Sequence, residues 1–154
     1  NVYAYLVAKY FDCIDIIMVQ FYESYSRAHY EVSEWGLSRS SYLEKYVAEH
    51  VDRGEQYYVH FEDDPNLQEV FPSQLVHVPL DKLVIGLANG YAMNVDKVLF
   101  LSPADCQKAY EAWSTAGTVP RGFMFWTINE EGAHGLYMAE GLNDFLQTRH
   151  NYNR

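Results

Sequence analysis

Along this chain the apolar positions switch repeatedly between an alternating pattern and a helical one, which is the signature of strands alternating with amphipathic helices. The opening run Val2-Tyr3-Ala4-Tyr5-Leu6-Val7 is helical in pattern, entered as if in the middle of an element. The first strand is expected over residues 14–22, dense in β-branched and aromatic side chains. Side chains alternate along a strand, so Met18, Gln20 and Tyr22 share one face and Ile17, Val19 and Phe21 the other. A helix then begins at Ser41, where Ser41 and Glu44 have capping-box spacing. Leu43, Tyr46, Val47, His50 and Val51 form its stripe, and Gly54 can stop it.

The second strand is expected over residues 82–88. Its helix starts at Ser102-Pro103-Ala104-Asp105, which combines a cap, a first-turn proline and an acid at the third helical position. Cys106, Ala109, Tyr110 and Trp113 continue the apolar face, and Gly117 ends it. The third strand is the apolar run inside Arg121-Gly122-Phe123-Met124-Phe125-Trp126-Thr127-Ile128-Asn129, whose continuity predicts cover on both faces. Its helix is expected from about residue 135 to 147, with Leu136, Ala139, Leu142, Phe145 and Leu146 inward. Residues 55–79, centred on Glu62-Asp63-Asp64-Pro65-Asn66, are too long for an ordinary connection and form an insertion or irregular excursion.

Strand–helix alternation predicts an α/β fold with parallel strands. At 154 residues the chain suits one domain, with 49% apolar residues against disorder. Three strand–helix units are too few to close an eight-stranded barrel, which takes about 250 residues. With no initiator methionine and no signal peptide, the chain is expected to be a mature, processed or fragmentary product.

Charge narrows the partners. A net charge of −10 with no basic patch argues against a nucleic-acid surface, and no apolar run approaches the roughly 20 residues of a membrane span. The fourteen tyrosines are amphipathic and suit seams or stacking surfaces. Cys13 and Cys106 have no metal or redox spacing, and they fall at opposite ends of a strand–helix layer, against a disulfide. His29, His77 and His134 have no metal-ligand spacing and read as surface or cap residues. No metal and no cofactor is expected.

Three segments together resemble the last three strand–helix units of a family 18 glycoside hydrolase, the chitinase-like barrel. Residues 11–23, with the ending Val19-Gln20-Phe21-Tyr22, look like its sixth strand. Residues 82–88 are similar to its seventh, and residues 122–129 to its eighth, usually G-x-M-x-W-S-x-N. The resemblance implies a partial (β/α)8 TIM barrel, about strands 6 to 8, spanning residues 1–154 apart from the insertion. It implies a secreted or extracellular protein acting on β-1,4-linked N-acetylglucosamine polymers by substrate-assisted, retaining hydrolysis. In that chemistry the substrate's acetamido oxygen attacks the anomeric carbon while a carboxylic acid protonates the leaving oxygen, an exception to the two-carboxylate scheme.

By the same resemblance, Tyr22 is the catalytic tyrosine whose hydroxyl binds the acetamido oxygen. Gln20 and Met18 face the same site, and Trp126 is the floor beneath the cleaved sugar. The acid is missing. The family carries it in D-x-x-D-x-D-x-E; Asp12 and Asp15 begin that spacing, but Ile17 and Val19 stand where the next Asp and the Glu belong. Glu23, Thr127 and the loop Asn89-Gly90-Tyr91 also depart from the family pattern. Glu23, Glu130 and Glu131 are expected as rim carboxylates, and Trp35 and Tyr25 either extend a glycan groove or pack on the surface. Whether the chain belongs to an enzyme therefore stays open. The alternatives are a non-catalytic glycan-binding or structural protein on the same barrel, and an unrelated α/β interaction domain. The expected partners are an N-acetylglucosamine glycan and the remaining half-barrel or a second copy of the chain.

Overall fold

The computed structural model describes residues 2–24, 26–52, 56–59 and 74–150. In chain order these form helix α1 (Val2–Tyr10), strand β1 (Ile17–Gln20), a short helix α2 (Arg27–His29) running into a wide turn over Tyr30–Glu34, and helix α3 (Arg39–Asp52). Strands β2 (Gln56–Val59) and β3 (Gln74–His77) follow, then β4 (Leu83–Ala88), helix α4 (Pro103–Ala116), β5 (Gly122–Trp126) and helix α5 (Met138–His150). The class is mixed α/β, as the alternation of periods predicted.

The main sheet has the order β1-β4-β5 with both pairings parallel, and β2 and β3 form a separate antiparallel pair. Gln20 lies beside Gly86 and Gly86 beside Met124, while Ala88 pairs with Trp126. On one face Leu83, Ile85 and Leu87 of β4 meet α3, α4 and α5 through Leu43, Val47, Cys106, Ala109, Trp113, Met138 and Leu142. Val19, Phe123 and Phe125 pack against the same core, so the alternation inferred for the strands is the one observed. Each fully buried Leu or Ile here contributes on the order of 1.5–3 kcal/mol relative to exposure.

The opposite face departs from expectation. Of the three strands of the main sheet only β4 is buried throughout. Met18 is 52% and Trp126 58% exposed, so β5 is not covered on both faces by the described residues. Between them Gly86 is a place where a side chain cannot fit: a Cβ there would lie 2.8 Å from the Val19 carbonyl oxygen and 3.3 Å from Met124 Sδ. The absent side chain lets Met124 lie over the central strand.

Helix boundaries are where sequence and structure differ most. The α4 cap forms as read: Asp105 N donates to Ser102 Oγ and Ser102 N to Asp105 Oδ2, at 3.2 and 3.0 Å, and Gly117 ends the helix at φ 73°. Helix α3 instead starts at Arg39, with Ser41 N donating to Ser38 Oγ at 3.2 Å, so Ser38 and not Ser41 is the capping residue. The Gly54 stop lies outside the described residues, as does most of the 55–79 insertion. Helix α5 starts at Met138, later than expected, because Gly132, His134 and Gly135 all adopt positive φ that a helix cannot contain. Fully buried Met138 takes the inward place assigned to Ala139, which is exposed.

Candidate functional site

The carboxyl ends of the three parallel strands define one edge of the sheet, and parallel α/β folds place ligands there. Tyr22 follows β1, Trp126 is the last residue of β5, and Tyr91 lies in a tight turn (Gly90–Asn94) that follows β4. Gln20, Tyr22, Glu23, Ser24, Tyr91, Val98 and Trp126 line an open cleft of about 350 Å³. Three residues picked out by the resemblance, Gln20, Tyr22 and Trp126, are thus neighbours around one cavity. Met18 is on the same face two residues earlier and does not line it.

Trp126 is no core residue. Its indole presents more than half of its surface to solvent at the cleft. Tyr22 is the reverse: 8% exposed, packed with Ala88 and Ala92, and without a hydrogen bond from its hydroxyl to any described residue. Burial raises the Tyr22 hydroxyl's pKa, and the neighbouring Tyr91 and Glu23 raise it further. It stays protonated, a donor without an acceptor among the described residues. Tyr91 is raised by burial and then by the charges of Glu23 and Glu130, so carboxylate fields reach both phenols.

What holds the floor in place was not legible in the sequence. Asn89 is fully buried, and all its polar groups are engaged. Its backbone N–H donates to the Trp126 carbonyl at 2.9 Å, its side-chain Nδ2 to the Thr127 carbonyl at 3.0 Å, and its Oδ1 accepts from Gly90 N at 2.6 Å. The Trp126–Thr127 peptide is cis. Gly90 also approaches the Ala133 carbonyl so closely that a Cβ would sit 2.8 Å from it. The turn after β4 is therefore tied to the chain after β5 through Asn89 and Gly90.

The candidate acids separate cleanly. Asp12 and Asp15 precede β1 and lie at the end of the sheet away from the cleft. Ile17 and Val19 are half-buried, and Val19 packs on the helix layer. Glu131 is not a rim carboxylate: it accepts from Met138 N and Ala139 N at 2.8 and 2.7 Å, serving as the N-terminal cap of α5. Of the three loop glutamates only Glu23 lines the cleft.

The remaining candidates fall elsewhere. His29 is buried, at 7% exposure, rather than a surface residue; its Nε2 lies 3.8 Å from Glu34 and its Nδ1 has no partner among the described residues. His134 is exposed at a positive φ, and the side chain of His77 lies outside the described residues. Trp35 is 73% exposed and outside the cleft, and Tyr25 lies outside the described residues. Both cysteines are free, Cys13 exposed and Cys106 buried. Among the described residues no group of three or more His, Cys, Asp or Glu side chains could hold a metal ion, and no helix is long and apolar enough to cross a membrane.

No family model matches the chain, and no curated protein matches it.

Proposed function

We propose that this chain supplies the sugar-holding side of a chitinase-like glycoside hydrolase, the part that grips and shapes an N-acetylglucosamine residue. The observation that carries the reading is the convergence of Gln20, Tyr22 and Trp126 on one cleft at the carboxyl ends of parallel strands. Trp126 offers an apolar face for the sugar ring, and the unpartnered Tyr22 hydroxyl donates to the acetamido carbonyl oxygen. Holding that oxygen against the anomeric carbon is the positioning that substrate-assisted cleavage requires. Gln20 supplies a second polar contact. The proton for the leaving oxygen comes from a carboxylic acid outside these 154 residues, so the chain by itself binds glycan without cleaving it.

Two further features support a barrel. The three strands of the main sheet stand side by side in chain order and parallel, as neighbouring barrel strands do, with the β2–β3 pair set apart from them. Parallel sheets are as a rule covered on both faces, whereas here Met18 and Trp126 lie open among the described residues. In this reading the remaining strands of the barrel, or a second copy of the chain, cover that face. The missing acid also suits a glycan-binding protein with no catalytic role on the same scaffold; a glutamate in D-x-x-D-x-D-x-E ahead of Asn1 would decide for the enzyme.

The test is titration of the 154-residue chain with N-acetylglucosamine tetramer. Saturable binding is expected, weakened about three- to ten-fold by Trp126→Ala, the size of an aromatic contact. Tyr22→Phe is expected to weaken it similarly while leaving the fold intact by circular dichroism. Absence of binding to the wild-type chain overturns the proposal. Hydrolysis by the chain alone, lost in Tyr22→Phe, overturns the assignment of the acid to residues elsewhere.

A further inference from the structure

The cleft has a floor and a rim of different chemistry. Gln20 and Trp126 belong to strands and form the floor, whereas Glu23, Ser24 and Tyr91 belong to the segments that follow β1 and β4 and form the rim. Seven described residues line the cavity. Glu23 is the one charged residue among them, and no lysine or arginine among the described residues joins it. The Glu23 side chain is exposed and makes no ion pair or hydrogen bond with any described residue, in contrast to Glu31 and Glu131, which are fully engaged. A carboxylate with no counter-charge among the described residues, beside two phenols and an indole, suits a cation. Aromatic faces attract an ammonium through their quadrupoles, and a carboxylate adds a charge-assisted hydrogen bond.

Resting on the glycan reading above, we infer that the rim formed by Glu23 and Tyr91 takes a sugar bearing a free 2-ammonium group, so that the preferred glycan is partly deacetylated, with an N-acetylglucosamine on the floor and a glucosamine beside it. The two positions ask for different groups. The Tyr22 hydroxyl on the inner side is a donor without an acceptor, which suits an acetamido oxygen. The rim presents an acceptor without a donor, which suits an amine. A neutral N-acetyl group at the rim leaves the Glu23 carboxylate to water, whereas an ammonium adds a charge-assisted hydrogen bond to it. The negative field at this place is felt by the neighbouring side chains, since Glu23 pushes up the pKa of both Tyr22 and Tyr91. Glu23 is open to solvent, so the gain is that of a screened contact and shows as selectivity more than as strength.

The experiment compares two oligomers of equal length on the 154-residue chain, at low salt and about pH 6, where carboxylates as a class are ionised. One is the fully acetylated tetramer; the other is a tetramer with alternating acetylated and free amino sugars. The mixed oligomer is expected to bind about five-fold tighter, the sum of one exposed ion pair and one exposed cation–π contact. Glu23→Gln is expected to bring the ratio of the two affinities to about one, and Glu23→Lys to invert it. Equal affinities for the wild-type chain overturn the inference, as does a preference that survives Glu23→Gln. These outcomes leave the parent reading standing, whereas failure of both oligomers to bind removes that reading as well.

Discussion

The Asn89 side chain donates to the Thr127 carbonyl across 3.0 Å and so ties the turn after β4 to the residue that follows Trp126. With its backbone N–H donating to Trp126 O and its Oδ1 accepting from Gly90 N, one buried residue is the fastener between two strand ends. Removing the side chain leaves the half-buried Thr127 carbonyl and the buried Gly90 N–H without these partners. Asn89→Ala is expected to cost about 2–3 kcal/mol in urea unfolding, since each lost buried partner costs roughly 1–3 kcal/mol. Asn89→Asp should do no better, because a carboxylate oxygen then faces the Thr127 carbonyl. A loss below about 0.5 kcal/mol would contradict the fastener role.

Gly86 is expected to be intolerant of even a methyl group. A Cβ there meets the Val19 backbone oxygen at 2.8 Å, and backbone in a paired strand cannot step aside. Gly86→Ala should destabilise by about 1–3 kcal/mol. Gly122, on the same face of β5, has no atom within 4 Å of its would-be Cβ. Gly122→Ala is the control, expected within about 0.5 kcal/mol of wild type.

Glu31 is expected to make stability depend on acid. Its carboxylate is almost fully buried and is paired with Arg27 Nε and Lys45 Nζ, each at 2.6 Å. Burial acts to raise its pKa, but the hydrogen bonds from Lys45 and Arg27 together with their charges outweigh it, and the net shift is downward. A group depressed in the folded state binds its proton more readily when unfolded, so its contribution is present above the unfolded value of about 4.3 and is lost as pH falls through the folded value. Glu31→Gln should therefore be less stable than wild type near neutrality, by about 1–2 kcal/mol given that Arg27 and Lys45 are themselves partly solvated. The gap should narrow as the pH drops below about 4. Urea midpoints for both proteins across pH 3 to 7 check the sign, and a gap that widens in acid contradicts it.

The two thiols should react at very different rates. Burial, then the charge of Asp105, pushes the Cys106 pKa to about 12, and the side chain is fully enclosed in the helix core. Thiolate is the reactive form, so Cys106 is inert at neutral pH. Alkylation of the native chain near pH 8 should label exposed Cys13 alone, and labelling in urea should add one further adduct by mass spectrometry. Two rapid native adducts would mean that the α4 face is not packed as described.

Removing the Glu131 cap should loosen α5. Its two oxygens take the first two N–H groups of that helix. Glu131→Ala is expected to lower stability by about 1 kcal/mol, as loss of a side-chain cap does. Hydrogen exchange at Met138 and Ala139 should rise first.

Much of the scaffold could be read locally. The sequence Ser102-Pro103-Ala104-Asp105 carries its cap within four residues, and that cap forms. The alternation at Met18, Val19, Gln20 and Phe21 assigns faces without reference to anything distant, and Val19 and Phe21 do turn to the helices. Ser41 misled because three serines, Ser38, Ser40 and Ser41, lie within reach of the same helix start, and only the backbone path selects Ser38. Glu131 misled because its partners lie seven and eight residues on, across a turn built from positive-φ residues.

By itself, then, the sequence determined the order of the three parallel strands and of the helix after each, and the faces of those strands, because periodicity and capping act over a few residues; the antiparallel β2–β3 pair and the short α2 were not foreseen. Only the tertiary structure decided that Trp126 lies open, that Tyr22 is buried with a free hydroxyl, that Glu23 stands without a counter-charge, and that Asn89 joins Ala88 to Thr127. Each of those depends on which groups become neighbours once the strands pair. A hydrogen bond or an unpaired charge is set by distance in space, on which separation along the chain is silent.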